Sequence, residues 1–268
     1  MTTQPVLPWR PSPLLGVSAG VHLAGAVALA LSPVRWPFVV GTIVADHLAV
    51  VAAGLAPRSR LLGPNMTRLP AEASLRREVG LTFDDGPDTD ATPRVLDILD
   101  AHGARATFFC IGKRVEGAKE IAAEIARRGH RVENHSHLHR HSFFFHSPST
   151  LRREIQTAQE SIEKATGRRP RLFRAPAGIR GPLLDAVLVR EGLTLVSWTR
   201  RGFDAVSTDP ARVLSRLLAG LSAGDVLLLH DGNFARDRGT GSPVVLEVLP
   251  RLLDALAARS LRAVRIDP

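Results

Sequence analysis

From about Arg68 to its end, this chain alternates short apolar runs with amphipathic stretches, and that alternation admits few folds. The apolar runs are too short for helices and read as buried strands, at Val79–Phe83, Ala106–Ile111, Arg131–Glu133, Leu172–Phe173, Thr194–Ser197, Val226–Leu229 and Leu261–Val264. Between them the spacing predicts helices over Thr92–His102, Ala118–Arg128, Ser149–Thr166, Pro182–Arg190, Pro210–Leu218 and Pro243–Ala258. Pro93 suits a helix start, and Gly129 and Gly167 suit helix ends. About seven strands interleaved with helices imply a parallel sheet with right-handed crossovers. The expected class is therefore α/β, an irregular (β/α)7 barrel, with a doubly wound open sheet as the alternative. In either, chemistry collects where strands end and loops begin.

The chain has 268 residues, enough for one such domain (residues 66–268) and an appendage (residues 1–65). The appendage holds two apolar runs, about 14–31 and 37–55, split by Pro33, Arg35 and Pro37. Each is close to the roughly 20 residues that cross a bilayer core, so the expectation is a membrane hairpin of two helices. The pair Asp46–His47 makes the second run less apolar, leaving an interfacial helix open. A cleaved signal peptide is also open, with Arg10 as its charged region and Ala28-Leu29-Ala30 as its cleavage pattern. Arg10 lies before the pair and Arg58, Arg60 and Arg68 after it, against Arg35 alone in the turn. By the positive-inside rule both ends, and the larger domain, are cytoplasmic.

The formal charge is +9, and 32 of the 35 basic residues are Arg, the others being Lys113, Lys119 and Lys164. These residues are scattered rather than gathered on one stripe, so nucleic acid is not expected as a partner; anionic lipid or a phosphate-bearing substrate is the better use. Cys110 is the sole cysteine, which excludes an intrachain disulfide and a thiolate cluster.

Polar clusters punctuate the strand ends. The first is Thr82-Phe83-Asp84-Asp85-Gly86-Pro87, two adjacent carboxylates that repel unless a cation or an Arg divides their tasks. The second is Asn134-His135-Ser136-His137-Leu138-His139, where a four-residue spacing puts His135 and His139 on one face of a helical turn and turns His137 away. Asp85, His135 and His139 together are the ligand set of a catalytic zinc site with an open position, leaving Asp84 free as a base. Then come Phe173-Arg174-Ala175-Pro176-Ala177-Gly178, Ser197-Trp198 with Asp204, and Asp225–Gly232, which delivers His230 to the loop face.

In this order and spacing the five clusters resemble the polysaccharide deacetylases of carbohydrate esterase family 4, over roughly Val79 to Arg265. The resemblance implies the family's irregular barrel and metal-dependent removal of an N-acyl group, N-acetyl first, from an amino sugar of a polysaccharide, oligosaccharide or lipid-linked glycan. It makes Asp84 the general base; Asp85, His135 and His139 the ligands of zinc, or of cobalt, manganese or nickel; and Arg174 the residue that holds the base. His230 becomes the general acid, tuned by Asp204 with Arg105 beside it, and the backbone N–H of Ala177 the oxyanion donor. Ala177 and Ala205 stand where the family usually has Tyr and Trp, so the pocket lining departs from the pattern while the catalytic set does not. Trp198, Arg200 and Arg201 are expected substrate contacts, the Arg pair as a phosphate holder, and one of Phe143, Phe144 and Phe145 is expected to meet lipid or an acyl chain. The expected location is a bacterial inner membrane. The alternatives are a catalytically silent glycan- or lipid-binding membrane protein, and an amidase or deformylase acting on another N-acyl substrate.

Overall fold

The computed structural model describes residues 8–267; the first seven residues of the 1–65 segment, and Pro268, lie outside the described residues. Two apolar helices, α1 (Pro13–Leu31) and α2 (Trp36–Leu55), are joined by a 3-10 turn at Pro33–Arg35 and pack against each other. Ser12 caps α1 by accepting from the N–H of Leu15. A Cβ on Gly25 would meet a Val39 methyl at 2.9 Å, so a residue without a side chain lets the two helices approach there. Both helices are long and apolar enough to cross a membrane.

The rest of the chain begins with the short α3 (Ala71–Leu75) and the central strand β1 (Glu78–Asp84), buried along its whole length. Next come α4 (Ala91–Ala101), β2 (Thr107–Cys110), α5 (Gly112–Gly117), α6 (Lys119–Arg127) and β3 (Arg131–Asn134). They are followed by α7 (Pro148–Thr166), β4 (Leu172–Phe173), α8 (Leu184–Arg190), β5 (Thr194–Leu195) and β6 (Arg200–Arg201). The chain closes with α9 (Pro210–Leu218), β7 (Val226–His230), α10 (Val244–Ala258) and β8 (Arg262–Val264). The expected helices and strands are present with ends shifted by a few residues; β6, whose two arginines carry no apolar signal, and the short α3 and α5, too brief to show a period, are additions to that pattern.

All strand pairs are parallel, in the order β5-β4-β3-β2-β1-β7-β6. The eighth strand, β8, pairs with the start of β1, on the edge whose far half pairs with β2. The sheet curls, and the chain entering the domain spans the gap between its ends. Met66 donates to the Leu195 carbonyl at 2.9 Å and accepts from Ser197 at 2.8 Å, while Leu69 donates to Gly224 at 2.9 Å. The result is the irregular barrel, and the open doubly wound sheet does not hold.

Strand alternation sorts the side chains. Leu81, Phe83, Phe108, Cys110, Leu227 and Leu229 face outward into a core under α4, α6, α9 and α10. Phe109, Val226 and Leu228 face inward with Trp198 and Ile266. On β1 the same period turns Thr82 and Asp84 away from Leu81 and Phe83, toward the barrel interior.

Two-residue β4 has little ladder of its own and is held by a side chain. The buried Glu133 carboxylate accepts from the N–H groups of Arg171 and Leu172, at 2.8 and 2.7 Å, and from Arg131 at 2.7 Å. Glu133→Ala is expected to orphan both N–H groups and destabilise the protein by about 2–3 kcal/mol, read from denaturant unfolding.

Candidate active site

At the C-terminal ends of β1 and β4 a buried ion pair crosses the barrel. Arg174, fully buried just past β4, donates from Nη1 to Asp84 Oδ1 at 2.6 Å and to Thr82 Oγ1 at 2.9 Å. Its Nε and Nη2 donate to the carbonyls of Val196 and Ser197 at 3.3 and 3.0 Å, and the guanidinium lies 4.1 Å over the Phe109 ring. Bonds from all three nitrogens fix the guanidinium, which in turn fixes the carboxylate. Asp84 Oδ2 is left facing His135 Nε2 at 3.8 Å.

Asp85 follows with a φ of 71°, in the left-handed region. This reversal sends its carboxylate to the opposite side from that of an extended continuation of β1, and a non-glycine residue held there marks a site under constraint. Asp85 Oδ1 lies 3.4 Å from His135 Nε2 and 3.2 Å from His139 Nε2. That oxygen is buried without a hydrogen-bond partner, and the three donor atoms converge on one point. His135 Nδ1 is 2.8 Å from the Arg174 carbonyl, which can only accept; the proton therefore sits on Nδ1, and Nε2 presents its lone pair. Burial, with His135 adjoining, holds His139 down to about 4, so it is neutral at pH 7. Burial opposes the Asp85 charge, but His135 and His139 outweigh it and keep the carboxyl well below the usual range. Two imidazoles and a carboxylate fit a divalent metal ion.

The helical turn expected for the histidine pair is not there. Ser136 and His139 have φ of 63° and 51°, and the segment is a loop in which Ser136 N–H donates to Asn134 Oδ1 and His139 N–H to Ser136 Oγ. Side-chain bonds, rather than helical spacing, bring the two rings together. His137 turns away, with Nδ1 against Gly112.

Opposite this cluster His230 ends β7. Its Nδ1 is 2.9 Å from Asp204 Oδ1, while its backbone N–H donates to Asp204 Oδ2 at 2.7 Å. Burial works against the imidazolium, but Asp204 and then Asp84 and Asp85 overcome it and push His230 up to about 9. Asp204 is occupied by these contacts, and the expected Arg105 partnership is not formed: Arg105 lies at the other end of the barrel, 3.3 Å from Asp100.

These groups line a cleft of about 620 Å³, with Ala177, Ala205, Trp198 and Arg201 on its walls. Ala177 has a φ of 55° within the 3-10 turn Pro176–Gly178. Arg201 lies 5.4 Å over Trp198 and 4.8 Å over Phe203. Arg200 is not a cleft residue: alternation along β6 turns it to Asp225 at 3.1 Å and to the carbonyl of Gly220. Of the three phenylalanines, Phe143 is buried against Phe173, Phe144 lies beside Gly54 and Gly181, and Phe145, edge-on to Phe144 at 4.9 Å, is 82% exposed.

Sequence reasoning missed Thr82, Arg114, Asp231 and Asn233. Arg114 donates to the Asp85 carbonyl at 2.8 Å and to Asn233, a contact between segments far apart in sequence. Asp231 had a signal, an Asp-Gly pair directly after His230, which also reads as an ordinary turn. It is buried and accepts from Thr92 Oγ1 at 2.6 Å; burial, with Asp85 and Asp84 adding, pushes it up to about 7. A Cβ on Gly86 would meet its carboxylate at 2.3 Å, so only glycine fits between Asp85 and this group.

A family model described as polysaccharide deacetylase matches residues 72–196. A chitooligosaccharide deacetylase of Bradyrhizobium sp. (strain ANU 289) is 37% identical over 162 residues, 60% of this chain and 74% of that protein. A peptidoglycan-N-acetylglucosamine deacetylase of Bacillus cereus is 31% identical over 176 residues, 65% of this chain and 81% of that protein. Among solved structures, a mutant with restored enzymatic activity of a carbohydrate esterase family 4 pseudoenzyme from Bacillus anthracis matches with a TM-score of 0.67 at 25% identity, covering 76% of this chain and 70% of that one. With relatives this similar over most of their own length, the chain belongs to the polysaccharide deacetylase family.

Proposed function

We propose that this chain is a metal-dependent carbohydrate N-deacetylase, hydrolysing an N-acyl group, N-acetyl first, of an amino sugar. The observation that carries the reading is the buried, unpartnered Asp85 Oδ1 between His135 and His139, in one cleft with the Asp84–Arg174 and His230–Asp204 pairs. Asp85, His135 and His139 would hold a divalent metal, which when bound would supply Lewis acidity and lower the pKa of a water; zinc suits two imidazoles and a carboxylate, and cobalt, manganese or nickel suit them as well. Asp84 takes the proton of the attacking water at Oδ2, since Oδ1 is engaged by Arg174. The Ala177 backbone N–H donates to the carbonyl oxygen as negative charge develops there. His230, with Nδ1 committed to Asp204, gives the Nε2 proton to the leaving amine. A silent glycan-binding role is the second reading, since the fold also hosts a pseudoenzyme; the presence of a base, an acid and their positioning partners favours the enzyme.

We further propose that residues 1–65 attach the domain 66–268 to a bacterial inner membrane. Contacts between α2 and the cleft wall support this. Arg180 N–H donates to the Gly54 carbonyl at 3.1 Å, Arg180 Nη2 donates to Ser59 O at 2.7 Å, and Pro57 packs on Gly178, next to Ala177. The end of a spanning α2 would thus hold the cleft at the bilayer surface, with Phe145 exposed nearby. The arginine distribution supports a cytoplasmic catalytic domain, which protease protection in spheroplasts would read. A substrate at that surface is a lipid-linked amino sugar, with Arg201 in the cleft to hold its phosphate.

Asp85→Ala, His135→Ala and His139→Ala are each expected to strip the cleft metal and His137→Ala to keep it; equal metal content in all four by elemental analysis refutes the ligand set. Asp84→Asn is expected to retain metal but lose turnover, and His230→Ala to lose about 10²–10⁴-fold. Because the acid form of His230 exists below its raised pKa of about 9, activity falls as pH rises through that region. Asp204→Asn removes the charge that raises it and moves the alkaline limb to lower pH in the kcat profile. Turnover on a polyprenyl-phosphate-linked N-acetyl sugar is expected to exceed that on chitooligosaccharide, and Arg201→Ala to erase the difference. Equal rates on both would return the substrate to the polymer class.

A further inference from the structure

The hairpin carries a second set of converging donors. His22 lies near the midpoint of α1, and Asp46 and His47 near the midpoint of α2, facing it. Their donor atoms all fall within 4.8 Å of one another, and the two imidazole Nε2 atoms are 3.1 Å apart. Nitrogens 2.0–2.1 Å from a tetrahedral ion stand about 3.3 Å apart, close to this spacing. Two of the three donors are also held in place by Ser18. His22 Nδ1 is 2.8 Å from the Ser18 carbonyl, which can only accept, so Nδ1 bears the proton and Nε2 offers its lone pair. The Ser18 hydroxyl donates to Asp46 Oδ2 at 2.7 Å, holding the carboxylate beside the rings. A carboxylate halfway along an apolar helix pair is unfavourable unless positive charge meets it, and the groups it faces are two imidazoles. One dication would neutralise the carboxylate and take both nitrogen lone pairs.

We propose that His22, Asp46 and His47 form a second metal site that takes a divalent transition-metal ion of the zinc class and clips α1 to α2. The site is separate from the Asp85–His135–His139 cluster and shares no residue with it. It uses what the apolar helices otherwise leave unexplained, three polar side chains from two helices at matching depth.

The test is metal stoichiometry of the full chain in lipid nanodiscs, loaded with Co²⁺ and dialysed. The wild type is expected to hold two ions per chain. His22→Gln plus His47→Gln should hold one and keep its deacetylase turnover, which shows that it is folded. Asp85→Ala plus His139→Ala should also hold one, with the visible Co²⁺ bands of a site containing two imidazoles. If the cleft reading alone is wrong, the hairpin variant holds none and the cleft variant keeps its ion, so the two failures are distinguishable. One ion in the wild type, lost in the cleft variant and kept in the hairpin variant, overturns the proposal and leaves a metal-free hydrogen-bonded cluster; two ions surviving in the hairpin variant overturn it equally.

Discussion

The contact on which the rest of the cleft depends is the ion pair between Arg174 and Asp84. Both residues are buried, and a buried pair is stable only where the remaining donors and acceptors are also met. Thr82, Val196 and Ser197 meet those of the guanidinium, and the Phe109 ring covers its face. The pair therefore joins β1, β4 and the segment after β5 across the barrel interior. It also sets the orientation of the Arg174 carbonyl, which receives the His135 ring at 2.8 Å. One residue thus positions both the proposed base and a proposed metal ligand.

A barrel with a charged interior needs a reason to stay closed at its weakest edge, where β4 and β5 have two residues each. The closing pieces are not strands by pattern. Met66 and Leu69 bond to Leu195, Ser197 and Gly224, and Glu133 accepts the N–H groups that start β4. The chain leaving α2 runs directly into this closure, and Arg180 bonds both to Gly54 and to Ser59. The apolar hairpin is therefore continuous with the cleft wall, and whatever surface holds α2 also fixes the approach to Ala177 and Trp198.

The sequence by itself determined the sheet. Its apolar runs are short, its amphipathic stretches have helical period, and only parallel strands with helical crossovers bury both. It also determined the chemistry available: an Asp pair, a His pair, Arg174 and His230, each at a strand end, and two apolar runs ahead of them. Tertiary structure decided what touches what. The His135–His139 approach comes from left-handed turns and side-chain bonds rather than a helix face, and local spacing does not encode those. Arg200 sits one residue from the inward-facing Arg201 and strand alternation turned it to Asp225, while Arg105 precedes β2 at the opposite end of the barrel, beside Asp100. Thr82, Arg114 and Asp231 act through partners between 29 and 139 residues away, and the Asp46–Ser18 and His22–His47 contacts join two helices whose register is set only by packing. Residue type and period fix which elements form, because those are local free energies; which side chains meet is a property of the packed whole, because it depends on register and on every other group being satisfied.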